Sequence, residues 1–173
     1  MISPLLALAA VAIKLDSRGP VIFRQPRVGR NQRTFTLFKL RTMQIGSEQK
    51  GDYTAANDTR VTRVGRVLRA TRLDELPQFF NVLRGDMSLI GPRAEWTRLV
   101  EQYEKTIPHY HFRHLVRPGI TGWAQVNYRY GANTEDTIEK LMYDLYYIRN
   151  FSLSLDASVV LKTIHVMLFC KGR

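Results

Sequence analysis

With 173 residues, 45% of them hydrophobic, the chain is long enough to bury one real core. Its charge is lopsided, 26 Lys+Arg against 15 Asp+Glu for a net +11, and such a surplus suits an anionic partner: nucleic acid, an acidic membrane leaflet or a phosphorylated substrate. A single cysteine, Cys170, excludes an internal disulfide and argues against a zinc ribbon; no repeat or low-complexity run divides the sequence.

The first segment, Met1 to Ile13, is an apolar run that stops at Lys14. It falls short of the about 20 residues a spanning helix needs, and it lacks the basic flank and cleavage site of a signal peptide. A buried core helix and a segment dipping into one leaflet are both open to it. A turn at L-D-S-R-G-P leads into a β-like run at Val21 to Gln25. A second run follows at Phe35 to Leu40, and Gly29-Arg30-Asn31 between them predicts a hairpin. Gln44 to Asn57 has little periodicity and reads as a mobile loop. Arginines then recur every third residue, at Arg60, Arg63, Arg66, Arg69 and Arg72. On a helix that spacing drifts by about 60° per step, so the five spiral round it, with Val61, Val64 and Leu68 as a narrow apolar stripe.

The stretch from Arg72 to Arg93 is the most informative. Asp74 suits a helix N-cap, Pro77 is tolerable in a first turn, and Gly85 suits the stop. Leu76, Phe79, Phe80 and Leu83 then form an apolar face for the core. An ionised carboxylate beside free N–H groups, where a phosphate would also be welcome, points to phosphoryl chemistry with a carboxylate nucleophile. The bland alternative is a helix cap and nothing more.

Further on, Trp96, Leu99, Val100, Tyr103 and Ile107 predict an amphipathic helix opened by Pro92. Arg117 to Trp123, R-P-G-I-T-G-W, reads as a rigid Pro/Gly loop. Thr134 caps a helix whose Ile138, Leu141, Met142 and Leu145 share a face. Leu155 to Phe169 suits an interfacial or core helix, being broken by Lys162 and His165. His109, His111 and His114 invite a metal, but no cysteine or well-placed carboxylate completes the set, so they read as structural or interfacial. Trp96, Trp123, Tyr143, Tyr146 and Tyr147 suit either an aromatic belt or core packing. The predicted fold is α/β (α+β, helix-rich), a membrane-associated domain with interfacial amphipathic helices around a small β-element.

At L-D-E-L-P-Q-F-F-N-V-L-R-G-D-M-S-L-I-G-P-R the chain closely resembles the bacterial sugar transferase family, the monotopic polyprenyl-phosphate phosphoglycosyltransferases. The likeness extends to S-P-L at Ser3, K-L-D-S-R-G-P-V-I-F-R-Q-P-R-V-G-R from Lys14 and F-K-L-R-T-M from Phe38. It continues through V-R-P-G-I-T-G-W-A-Q-V from Val116 and Y-D-L-Y-Y-I from Tyr143. Several long motifs in one order make it specific.

The resemblance implies transfer of a sugar-1-phosphate from a UDP-sugar to undecaprenyl phosphate, with UMP released, in a ping-pong scheme using Mg²⁺. Asp74 would be the nucleophile, and Glu75 its metal-binding or orienting partner. Lys39, Arg69 and Arg117 are candidates for phosphate binding, Arg93 a weaker one, while Asp86 and Asp144 take structural or secondary roles. Residues 1–13 would be the remnant of a re-entrant membrane helix, the incoming half before Ser3-Pro4 being absent, and 14–173 the catalytic domain. Ala94 stands where the family commonly has proline.

The expected setting is the cytoplasmic face of a bacterial inner membrane. Arg60, Arg63 and Arg66 would face anionic lipid headgroups or solvent there. A nucleic-acid-binding module is the rival from another class, but no helix-turn-helix, RNP or zinc-finger pattern supports it. An inactive membrane-associated scaffold is a third reading; the sugar and any homo-oligomer stay open.

Overall fold

A computed structural model of the chain describes residues 2–47, 58–128 and 134–168. Its elements are helices and two small two-stranded sheets, the mixed composition the sequence predicts. The chain forms two compact units, each made of two segments: Met1–Arg24 with Phe38–Pro77, and Gln25–Leu37 with Gln78–Arg173. The hairpin of β1 (Ile22–Val28) and β2 (Thr34–Leu40) is shared, its open end counted in the first unit and its tip in the second. The tip is the expected turn, tightened into a 3₁₀ turn at Arg30–Gln32 with Asn31 and Gln32 at positive φ.

In the first unit, α1 (Ile2–Asp16) buries Ala9 and Ile13 against Leu40 and Leu68, with Val21, Ile22, Val64 and Leu73 around them. Its other side leaves Leu5, Leu8, Val11 and Leu15 exposed, so this run is a core helix on one side only. Arg41, nearly fully buried, donates to the Ser17 carbonyl at 2.7 Å and the Pro20 carbonyl at 2.6 Å, satisfying carbonyls just past the end of α1. α2 (Arg63–Ala70) is capped twice: Thr62 Oγ1 accepts from the Gly65 N–H and Asp16 from the Val64 N–H, each at 2.9 Å. That backbone bond lowers the Asp16 pKa. Gly65 is required here because an added Cβ would collide with the Thr42 carbonyl.

Only three of the five spaced arginines, Arg63, Arg66 and Arg69, lie on α2. Arg60 precedes it and does not face solvent or lipid as expected. Its guanidinium folds onto Asp58 at 2.6 Å, both side chains mostly buried, and pulls that carboxyl down to about 2. Val61 likewise lies outside α2, in a bridge with Met43. The loop expected over Gln44 to Asn57 lies outside the described residues from 48 onward, as do Phe169 and Cys170.

In the second unit α3 (Gln78–Leu83) inverts the expected face. Phe79, Phe80 and Leu83 are exposed, while Gln78 and Asn81 are buried, Asn81 donating to the Thr36 carbonyl at 2.8 Å. Gly85 ends the segment at φ +81°, as predicted. The supposed Pro/Gly loop is in part a strand: β4 (Gly119–Thr121) pairs in parallel with β3 (Ser88–Ile90), Ser88 opposite Gly119. Gly91, Gly119 and Gly122 pack backbone on backbone, with no room for a side chain at any of the three. α4 (Thr97–Thr106) starts after Trp96 rather than at Pro92. It buries Leu99, Val100 and Tyr103 as predicted, with Ile107, Tyr110, Val28 and Leu141 completing the core.

α5 (Trp123–Asn127) is followed by α6 (Thr134–Arg149) and α7 (Leu153–Leu168). On α6 the buried residues are Leu141, Asp144 and Tyr147; Ile138 and Met142 point outward, contrary to the expected face. Tyr147 packs inside and donates to Asp156 at 2.7 Å, whereas Tyr146 is exposed and stacks on Trp123. On α7, Leu153, Leu161, Ile164 and Met167 are exposed. No helix among the described residues is long and apolar enough to cross a membrane.

The three histidines do not converge as a metal set among the described residues. His109 and His111 are exposed, and His114 is buried with no hydrogen-bond partner for Nε2. Burial, with Arg113 and His111 adding to it, pulls the His114 imidazole down to about 4. Unfolded imidazole titrates near 6.5, so on acidification the unfolded chain takes the proton first. The stability tied to His114 is therefore complete above about pH 6.5 and lost on the way to about pH 4, on the order of 3 kcal/mol in all. Thermal unfolding across that window should show a steeper acid loss for wild type than for His114→Phe; parallel curves would contradict it.

Candidate active site

Between α2 and α3 the chain turns at Arg72, whose φ of 56° puts a non-glycine residue in the left-handed region. Such a conformation costs about 1–2 kcal/mol and persists only where surrounding contacts hold it. It launches a 3₁₀ turn, Leu73–Glu75, that carries both carboxylates. Asp74 is buried at 7% exposure, and the Glu75 side chain is 13% exposed. Asp74 is thus not the N-cap of a long helix. α3 begins only at Gln78, after Pro77, and a three-residue turn supplies little of the dipole that the N-cap reading invoked.

Cations gather at the neighbour of Asp74, Glu75. Lys39, from β2, sets its Nζ 3.1 Å from Glu75 Oε1, and Arg72 Nη1 lies 3.8 Å from Glu75 Oε2. Arg69, in the last turn of α2, donates from Nε to Thr42 Oγ1 at 2.8 Å. The first unit therefore contains Asp74, Glu75, Lys39 and Arg69, and ties Lys39 to Glu75 directly. Arg72 was missed as a member; its signal was its place in the arginine series next to the carboxylates.

Arg93 and Arg117 belong to the second unit. The Arg93 carbonyl accepts from Arg113 Nη2 at 2.9 Å, and its backbone bridges to Gly119. Arg117 is exposed beside Gly85. Asp86 accepts from Asn81 at 3.3 Å and faces Arg84 at 3.7 Å. Asp144 is structural: it is 2% exposed and paired with the equally buried Arg113 at 2.8 Å.

Among the described residues no group of three or more His, Cys, Asp or Glu could cage a metal. Two adjacent carboxylates nonetheless fit Mg²⁺, which keeps several waters and takes other ligands from substrate phosphates. Glu75 already lies between two cations, so a bound metal ion would have to replace Lys39 at its carboxylate.

The chain matches the bacterial sugar transferase family over residues 1–170. It is similar to a UDP-N-acetylgalactosamine-undecaprenyl-phosphate N-acetylgalactosaminephosphotransferase of Aeromonas hydrophila, 55% identical over 97% of this chain and 40% of that protein. It is similar also to a UDP-glucose:undecaprenyl-phosphate glucose-1-phosphate transferase of Escherichia coli (strain K12), 47% identical over 95% of this chain and 36% of that protein. An exopolysaccharide production protein, PSS, of Rhizobium leguminosarum bv. phaseoli is 40% identical over 95% of this chain and 86% of its own length. The chain thus spans less than half the length of the first two.

Proposed function

Because the chain belongs to the bacterial sugar transferase family, we propose that it moves a sugar-1-phosphate from a UDP-sugar to undecaprenyl phosphate and releases UMP. The same reading makes it the first step of exopolysaccharide, O-antigen or glycan assembly. In the first half-reaction an Asp74 carboxylate oxygen attacks the sugar-bearing phosphorus. The bond from that phosphorus to the bridging oxygen breaks, and UMP leaves with the electron pair. In the second, a phosphate oxygen of the lipid attacks the same phosphorus and Asp74 departs as free carboxylate.

The observation that carries this reading is the placement of Asp74: buried, and directly before a glutamate held between Lys39 and Arg72. A bare carboxylate must approach a negatively charged diphosphate, and fixed cations in a partly dry site lower that repulsion. Glu75 would hold Mg²⁺, which when bound offsets the charge on the diphosphate and the leaving UMP. Lys39 and Arg69 orient phosphate oxygens, Arg69 with a planar fork and Lys39 as a point charge. Exposed apolar residues on α1, α3 and α7, together with the net +11 charge, support a site at the cytoplasmic face of an anionic inner membrane.

Intact-protein mass spectrometry tests the first half-reaction. Detergent-solubilised protein incubated with Mg²⁺ and separate UDP-sugars, including UDP-N-acetylgalactosamine and UDP-glucose, should gain one sugar-phosphate with its proper donor. No gain with any donor counts against the covalent scheme. Glu75→Gln should lower turnover roughly 10–100-fold and shift the Mg²⁺ requirement. An unchanged rate and Mg²⁺ titration would remove Glu75 from that role.

A further inference from the structure

The hairpin tip and the loop after α3 enclose a half-open cavity of about 400 Å³ lying wholly within the second unit. Arg30, Arg33 and Arg117 line it with Asp86 and the Phe35 ring. None of these residues belongs to the Asp74 cluster. All three guanidiniums are exposed, and none is paired with a carboxylate among the described residues, in a chain where Arg27, Arg60, Arg72, Arg84 and Arg113 each have one. The single lining carboxylate, Asp86, is already served by Asn81 and Arg84.

Three guanidiniums around one concavity repel each other, and the one carboxylate lining it among the described residues, Asp86, offsets only part of that cost. The turn that places Arg30 and Arg33 has two consecutive non-glycine residues at positive φ, Asn31 and Gln32, and is closed by the Gly29 N–H donating to the Arg33 carbonyl at 2.8 Å. Arg117 arrives from a chain segment 84 positions beyond Arg33, just before the tightly packed Gly119.

We propose that this cavity is a binding site for a phosphate-bearing anion, held by guanidinium forks of Arg30, Arg33 and Arg117. Its size suits a small polar ligand, and Asp86 offers an acceptor for a hydroxyl or N–H donor on the same molecule. The phosphate can belong to a soluble compound or to a lipid headgroup; the chemistry that recognises it is the same. The site stands whether or not Asp74 is the nucleophile, because its occupancy is read without turnover.

The test is calorimetric titration of the full chain with inorganic pyrophosphate, beside sedimentation with phosphatidylcholine vesicles containing phosphatidylglycerol. It compares wild type, Arg30→Gln/Arg33→Gln, and a control losing the same charge at exposed positions away from the cavity, Lys105→Gln/Arg149→Gln. The arginine pair is expected to weaken pyrophosphate binding about tenfold or more, with the control changing it less than about twofold. Loss confined to vesicle binding, again in the arginine pair only, assigns the phosphate to a headgroup and equally supports the site. Equal losses in both variants, or none in the arginine pair, overturn it. Thermal midpoints matching wild type exclude misfolding, since neither mutated guanidinium holds a structural contact among the described residues.

Discussion

Asp74→Asn should eliminate the sugar-phosphate adduct and reduce turnover by roughly 10⁴-fold or more, as loss of a covalent nucleophile does elsewhere. The amide is nearly the same size as the carboxylate, so the buried position stays filled and the 3₁₀ turn has no steric reason to change. On the proposed scheme what is lost is the nucleophilic oxygen: a neutral amide does not attack phosphorus and does not leave from it. Two readouts separate chemistry from folding. If the adduct disappears while the thermal midpoint moves by no more than a few degrees, Asp74 carries the chemistry. An adduct that persists in Asp74→Asn places the covalent bond elsewhere and sinks the assignment.

The second large effect is one of stability. Arg113→Leu should cost about 3–5 kcal/mol, because it strands a charge rather than merely deleting a contact. Arg113 donates to the Tyr110 hydroxyl at 2.6 Å, the Arg93 carbonyl at 2.9 Å and Asp144 at 2.8 Å, and all of these meet inside the second unit's core. Burial already pushes the Asp144 carboxyl up to about 6, with Arg113 opposing the rise. Without Arg113 the carboxyl rises further, so the folded variant accepts a proton that the unfolded chain, near 3.8, does not. The loss relative to wild type should therefore be greatest well above pH 6 and shrink as the pH falls. Comparison with wild type at each pH takes out most of what His114 contributes to both. Arg113→Leu/Asp144→Leu should regain a good part of the stability at neutral pH. A double variant no better than the single one would mean that packing, not the stranded carboxylate, sets the cost.

The elements that could be read from the residues are those whose cause is local. Gly29-Arg30-Asn31 between two β-like runs makes the hairpin, and the spacing of Leu99, Val100, Tyr103 and Ile107 makes α4. The Asp74–Glu75 pair was legible because the carboxylates are adjacent. The setting of that pair was not. Lys39 and Glu75 are 36 positions apart, and no periodicity links them. Arg72 at positive φ carries none of the glycine or asparagine signal that usually marks such a turn. β3 and β4 are three residues each, and their parallel pairing depends on glycines meeting across a long separation. α3 failed differently. Its apolar spacing is real, but periodicity identifies an apolar face without saying what covers it, and Asn81 and Gln78 occupy the interior instead.

The shared hairpin bears on how this protein can be dissected. Neither unit is a continuous stretch of chain: the second needs Gln25–Leu37, which leaves from and returns to the first. A fragment beginning at Gln78 would lack Val28, a member of its own hydrophobic core, and the Arg30 and Arg33 side of its cavity. A fragment ending at Pro77 would carry a hairpin tip whose buried Val28 and Leu37 have lost the rest of their unit. Proteolysis or recombinant trimming at the boundary near residue 77 thus yields two incomplete pieces, and complementation of one by the other is the only way such halves regain both interiors.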